Sequence, residues 1–96
     1  MIEIRKTDVF AQWIDKLHDI RARARIQARI ERLTVGHAGD FKPVGEGVSE
    51  LRIDCGPGYR VYFKKQGLSS IILLAGGDKR TQTKDIREAL RLARNL

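Results

Sequence analysis

The sequence predicts an α+β fold, a four-stranded, mainly antiparallel sheet with helices, in the order β-α-α-β-β-β-α. Three observations carry this. First, between Glu50 and Arg80 three strand-length runs are separated by two turn-forming quartets, Cys55-Gly56-Pro57-Gly58 and Gln66-Gly67-Leu68-Ser69. Second, apolar residues recur at spacings of three and four before this region and after it. Third, Ile2 and Ile4 alternate with Glu3 and Arg5, the mark of a short strand with one buried face.

In chain order, Thr7 or Asp8 caps a first helix, in which Val9, Phe10, Trp13, Ile14 and Leu17 share a face. Asp19 caps a second helix with an apolar stripe of Ala22, Ile26, Ile30 and Leu33. Its flank carries Arg21, Arg25, Arg29 and Arg32, either a solvated face or a basic ridge for a polyanion or an acidic partner. So short a connection makes the two helices an antiparallel hairpin covering one sheet face. Residues 36–47, with four glycines and Pro43, read as a loop holding His37 and Lys42.

In the meander, Leu51 and Ile53 point one way and Glu50, Arg52 and Asp54 the other. Tyr59, Val61 and Phe63 likewise oppose Arg60, Tyr62 and Lys64. Residues 71–75, apolar on both sides, form a central strand beside which the Ile2–Ile4 strand pairs. Thr81 or Thr83 starts a last helix with an apolar stripe of Ile86, Ala89, Leu90, Ala93 and Leu96. The sheet face away from the hairpin is then expected to be partly open and basic.

The 96 residues suit one domain, 1–96, with no repeats or linkers. A net charge of +7 favours polyanionic partners. Cys55 is the single cysteine, which excludes a disulfide framework and a cysteine-based zinc site and makes the cytoplasm the expected compartment. The first residues lack a signal-peptide core, and no apolar run approaches the ~20 residues that span a bilayer, so no membrane partner is expected. Arg52, Arg60 and Lys64, with Lys79 and Arg80 beyond the last strand, are candidates for holding phosphate. A salt bridge from Arg60 to Glu50 or Asp54 is the alternative use of that side chain.

Four segments carry a resemblance: Lys42-Pro43-Val44-Gly45-Glu46-Gly47, Glu50-Leu51-Arg52-Ile53-Asp54, Gly56-Pro57-Gly58-Tyr59-Arg60-Val61-Tyr62-Phe63 and Gly76-Gly77-Asp78-Lys79-Arg80-Thr81-Gln82. With the size, charge and element order, they make the chain similar to the RelE/ParE superfamily of bacterial toxins. The nearer likeness is to the phage-derived, HigB-like "addiction module killer protein" branch. The resemblance covers essentially the whole chain and implies a RelE-like fold. It also implies an endoribonuclease that cuts mRNA on the ribosome, without metal or other cofactor, by attack of the RNA's own 2′-hydroxyl. The implied partners are the ribosome, mRNA and a cognate antitoxin encoded by the adjacent gene, a helix-turn-helix protein being favoured. The ParE side of the superfamily implies instead a gyrase poison that cuts nothing, and a decayed, non-toxic antitoxin-binding module is a third possibility.

Carried onto this sequence, Arg60 matches the family arginine that contacts the scissile phosphate, Arg80 a second arginine, and Arg52 falls near a strand lysine. Such cleavage needs a base, an acid and cations for the transition-state charge. The acid and base stay open among Lys79, Tyr62, His37 and Glu50. Ile86 stands near the register of the RelE tyrosine, Glu50 where RelE toxins have lysine, and neither His18 nor His37 matches a HigB histidine motif. The expected catalytic set is Arg60, Lys79, Arg80, Tyr62 and His37. Arg52, Lys42, Lys64, Arg25 and Arg29 are expected to bind RNA.

Overall fold

A computed structural model describes residues 2–96 of the chain. The chain begins with β1 (Glu3–Lys6), then α1 (Asp8–Asp15) and α2 (Ile20–Leu33). The strands β2 (Phe41–Gly45), β3 (Val48–Ile53), β4 (Tyr59–Gln66) and β5 (Ser70–Asp78) follow. A 3₁₀ turn (Lys79–Thr81) leads into α3 (Gln82–Arg94). The sheet has five strands in the order β1-β5-β4-β3-β2, antiparallel except that β1 runs parallel to β5. The expected partner of the first strand is therefore the observed one.

The fifth strand is a correction. Part of the stretch read as the 36–47 loop is β2, hairpin-paired to β3 through Glu46-Gly47. Both turn residues have positive φ, +54° and +80°, as a tight two-residue hairpin turn requires. Glu46 is the only non-glycine among the described residues in that conformation, and Arg94 grips its carboxylate through two hydrogen bonds of 2.8 and 2.6 Å. Pro43 is tolerated because an edge strand pairs on one side only.

Helices cover both faces. Thr7 caps α1, accepting from Phe10 N at 3.1 Å, and its hydroxyl also donates to Leu74 O of β5 at 2.6 Å. Asp19 caps α2 by accepting from Ala22 N at 3.1 Å. The helical pair buries Phe10, Ile14, Ala22, Ile26, Ile30 and Leu33 against Leu51, Ile53, Tyr59, Val61, Phe63, Ile71 and Leu73. On the other face α3 lays Ala89 and Ala93 over Val48, Tyr62, Ile72, Leu74 and Ala75. That face is accordingly far less open than the sequence suggested. On that face Arg52 and Arg60, near the β3–β4 turn, stay half-buried, as does Lys64 at the other end of β4. Leu96, expected on the α3 stripe, is exposed beyond the end of the helix.

One irregularity lets β5 serve both cores. Tyr62 pairs with Ala75 and Phe63 with Leu73, so Leu74 is an extra residue in β5. Such a bulge breaks strict alternation, and Leu74 and Ala75 both join the α3 side. At the end of β5, Gly76 lies against the Trp13 ring, and Trp13 in turn packs tilted against Phe10 at 5.8 Å and edge-on to Tyr59 at 6.3 Å. A Cβ on Gly76 would overlap that ring.

Gly76→Ala is therefore expected to cost about 1–3 kcal/mol, the range for forcing a close-packed contact apart. Urea unfolding followed by Trp13 fluorescence measures it, and an unchanged midpoint would remove the proposed reason for glycine there.

Candidate functional site

Arg52 and Arg60 are direct partners across the β3–β4 ladder. Directly opposed residues project from the same face, so alternation brings two guanidiniums side by side. Like charges in that position repel, and the sheet compensates from within. Glu50 lies two residues before Arg52 on the same face and is fully buried. Its Oε1 stands 3.0 Å from Arg52 Nε and 3.6 Å from Arg60 Nε. Its Oε2 accepts from Gln82 Nε2 at 2.7 Å and from Tyr62 Oη at 3.3 Å.

Arg60 is held without being consumed. Its Nη1 donates to Tyr59 O at 3.1 Å, while its buried Nε has no hydrogen-bond partner among the described residues. The pairing to Glu50 that was one reading of Arg60 is thus present, as a contact too long for a hydrogen bond.

The two arginines border a cavity of about 510 Å³ lined also by Asp40, Asp54, Gly56, Pro57, Gly58 and Lys79. Chain geometry delivers Lys79. Tyr59 pairs with Asp78 and Arg60 with Gly77, and Lys79 N donates to Gly58 O at 2.9 Å. Gly58 has φ +83°, and a Cβ there would lie 3.4 Å from Arg60 Nη1 and 3.5 Å from Lys79 Cβ. The glycine therefore keeps a close junction between the two cationic residues open. Gly77 is constrained on its other flank, where a Cβ would strike the Asp85 carboxylate and the Thr81 hydroxyl. Among the described residues Lys79 forms no ion pair, and it lines the cavity as an exposed residue.

Of the expected site residues, Arg52, Arg60 and Lys79 come together. Arg80 does not line the cavity: it is exposed and binds Asp78, Nη2 to Oδ2 at 2.9 Å, which holds the Asp78 carboxyl below its usual pKa. Tyr62 is a correction. It is wholly buried under α3, and burial followed by the Glu50 charge pushes its hydroxyl well above the usual tyrosine range. It serves as a donor to Glu50, not as an accessible acid or base. Glu50, buried to the same degree, is also withdrawn from proton transfer with a ligand.

His37 lines a separate surface cleft with Arg32 and Val35. Lys42 pairs with Glu50 from β2 but is exposed outside the cavity lining. Lys64 stands at the Gly47 turn, about 13 Å along β4 from Arg60.

Arg29 is a clamp. It donates to Arg52 O at 2.6 Å, Ala38 O at 2.9 Å and Asp40 O at 3.2 Å, fastening α2 to two cavity-lining residues. Arg25 donates to Asp54 O at 3.2 Å.

Three contributors were not among the expected site residues, although Asp54 was read as a possible salt-bridge partner of Arg60. Asp40 and Asp54 line the cavity, and Gln82 anchors Glu50 from the first turn of α3. For Asp54 the strand alternation was a signal, since it shares a face with Arg52. For Gln82 none exists, because a polar residue at a helix start is ordinarily solvated.

Among the described residues no helix is long and apolar enough to cross a membrane. No family model matches the chain. Over 95 residues it is 54% identical to an uncharacterized protein of Haemophilus influenzae, covering 99% of this chain and 96% of that one. The two proteins belong to one family.

Two measurements test the buried network. Glu50→Ala leaves Arg52 facing Arg60 with no counter-charge and strands the Tyr62 and Gln82 donors. The expected loss is about 3–5 kcal/mol in chemical denaturation, as for breaking a buried ion pair from one side. A loss within experimental error would show that the carboxylate is not a structural centre.

Tyrosine titration is the second. Burial raises both Tyr59 and Tyr62, the only two tyrosines. A folded pKa above the unfolded one gives stability that is complete below about pH 10 and lost as pH rises further. Near that pH the native protein should show much less tyrosinate absorbance than the urea-unfolded chain. Tyr62→Phe should flatten part of the alkaline fall in stability. Equal absorbance in the two states would contradict the buried placement.

Proposed function

We propose that this chain is the toxin of a toxin–antitoxin module, with a RelE-like fold, acting in the cytoplasm by cutting mRNA on the ribosome. The observation that carries the reading is the convergence of Arg52, Arg60 and Lys79 on one cavity walled by Gly56-Pro57-Gly58. The two segments most responsible for the family resemblance, Gly56–Phe63 and Gly76–Gln82, are neighbours through the β4–β5 ladder. A surplus of positive charge over the whole chain favours the same kind of ligand.

In this reading the scissile phosphodiester lies between Arg52 and Arg60, whose guanidiniums neutralise the charge that grows as the fifth oxygen adds to phosphorus. The 2′-oxygen bonds to phosphorus, the bond to the 5′-oxygen breaks, and the products are a 2′,3′-cyclic phosphate and a 5′-hydroxyl. The Lys79 ammonium protonates the departing 5′-oxygen. Asp40 and Asp54 are the carboxylates lining the cavity that can take the 2′-hydroxyl proton. Glu50, itself anchored by Gln82, holds the arginines from beneath. The partner that silences the toxin is an antitoxin with an acidic surface, matched to these cations.

A second reading, a gyrase poison without nuclease activity, is favoured by one observation: of the acid–base candidates expected from the sequence, Tyr62 and Glu50 are buried and His37 lies in a separate cleft.

Arg60→Ala tests the first reading. Removal of one preorganised donor to a charged transition state is expected to lower mRNA cleavage in a translation extract about 100-fold or more. Growth arrest on expression without the antitoxin should vanish with it, while the melting profile shows the fold retained. A fully toxic, fully active variant removes Arg60 from the mechanism. Growth arrest by the unaltered protein with intact mRNA and early DNA damage would favour gyrase. Unimpaired growth at high expression would indicate a non-toxic binding module.

A further inference from the structure

The outer face of α2 forms a second cationic surface beside the cavity, and we propose that it carries the continuation of the same ligand. A single-stranded RNA whose reacting phosphodiester sits in the cavity passes around Asp54 and runs on along α2. This rests on the cavity reading above and adds the path of the strand beyond it.

Positions 21, 24, 25, 28, 29 and 32 share one helical face and read Arg, Ala, Arg, Ala, Arg, Arg. Five arginines stand on α2 against one acid, Glu31, and among the described residues none of them is in an ion pair. A helix face that is merely solvated ordinarily intersperses acids with its cations, as Glu88 and Arg91 do on α3. Here the intervening residues are alanines, both exposed. Alanine leaves no side chain beyond Cβ, so a sugar-phosphate backbone can lie close to the helix between guanidiniums.

The face is contiguous with the cavity. A groove of about 290 Å³ is lined by Arg25, Ala28, Arg29, Arg32, Ile53 and Asp54. It shares Asp54 with the cavity, and Arg29 binds the backbone of Arg52 and Asp40, which line the cavity. The two depressions are therefore fixed to each other. The junction also selects the ligand class. Arg52 belongs to the α3 face of the sheet and Ile53 to the α2 face, so a path past Asp54 rounds the end of β3 from one face to the other. A flexible single strand can follow that corner, whereas a stiff duplex cannot be bent so sharply without a large cost.

The test uses the whole protein and 2′-O-methyl oligouridylates, which cannot be cleaved, of two and twelve nucleotides. Fluorescence anisotropy is measured across a salt series. Arg25→Ala with Arg32→Ala is expected to weaken binding of the longer probe about tenfold at low salt. The slope of log affinity against log salt should fall by about 1.4, at ~0.7 per lost phosphate contact. The short probe should bind as before. The paired lysine substitutions, R25K with R32K, should keep the salt slope. Ala24→Glu, at an exposed position of α2, should weaken the longer probe alone, so the idea stays testable if the alanine variant is unstable.

Loss of the length-dependent gain in these variants supports the path along α2. An unchanged gain overturns it, while Arg60→Ala continues to report on the cavity: loss of the short probe there leaves the cavity reading intact. A twelve-base-pair RNA duplex that binds as tightly as the strand, and is weakened equally by the α2 variants, would overturn the single-strand assignment.

Discussion

One buried carboxylate shared by two opposed arginines sets the terms for the rest of this molecule. Arg52 and Arg60 meet across a non-edge strand pair, where adjacent like charges destabilise a sheet. Glu50 removes that conflict from below, and its second oxygen is closed off by Tyr62 and Gln82. Buried ion clusters give little net stability relative to well-packed apolar residues. A sheet needing only cohesion would be served as well by aliphatic side chains at 50, 52 and 60. The charged trio supplies something aliphatics cannot, a pair of guanidiniums whose inner edges are fixed and whose outer edges border a cavity.

The requirement spreads outward through the fold. Gln82 reaches Glu50 because α3 starts after only the three-residue 3₁₀ turn that follows β5, and that turn is compact. Asp78 accepts from Arg80 N at 2.8 Å, and the Thr81 hydroxyl binds both Asp78 and Asp85. Gly77 lets the Asp85 carboxylate sit flush on β5, and Gly76 does the same for Trp13 on the reverse side. A glycine pair in a strand interior ordinarily weakens it. Here each glycine admits a helix on its own face, and the placement of Lys79 beside Gly58 follows from the register that results.

Much of this arrangement was legible in alternation alone. A period of two assigned Leu51, Ile53, Tyr59, Val61 and Phe63 to one side and Arg52 and Arg60 to the other, as found. Alternation names the side on which a residue stands but not what covers that side. Tyr62 was for that reason read as accessible, although α3 buries it. The edge strand 41–45 was illegible for another reason. Its five residues are mostly exposed and include a proline and a glycine, so its strand character comes from pairing with β3 rather than from an apolar pattern. The Leu74 bulge was hidden in an apolar run that fits either face. Arg80 follows Lys79 directly in sequence, yet the Asp78 carboxylate turns it away from the cavity.

The arginines of α2 show where a regular spacing ceases to carry information. Arg25, Arg29 and Arg32 stand on one flank, indistinguishable by helical period. Arg29 happens to face the end of β3 and the 38–40 backbone, and its Nη1 and Nη2 donate to three carbonyls. Arg25 reaches a single carbonyl, that of Asp54, and Arg32 stands exposed with no ion pair among the described residues. The same residue type at the same spacing is thus a structural bolt at one position and uncompensated surface charge at the next. A row of like charges on a helix opposes folding by a few tenths of a kcal/mol per neighbouring pair. The field of the uncompensated arginines instead points outward, on the flank adjoining the cavity where Arg52, Arg60 and Lys79 also point, so both surfaces attract the same sign of ligand.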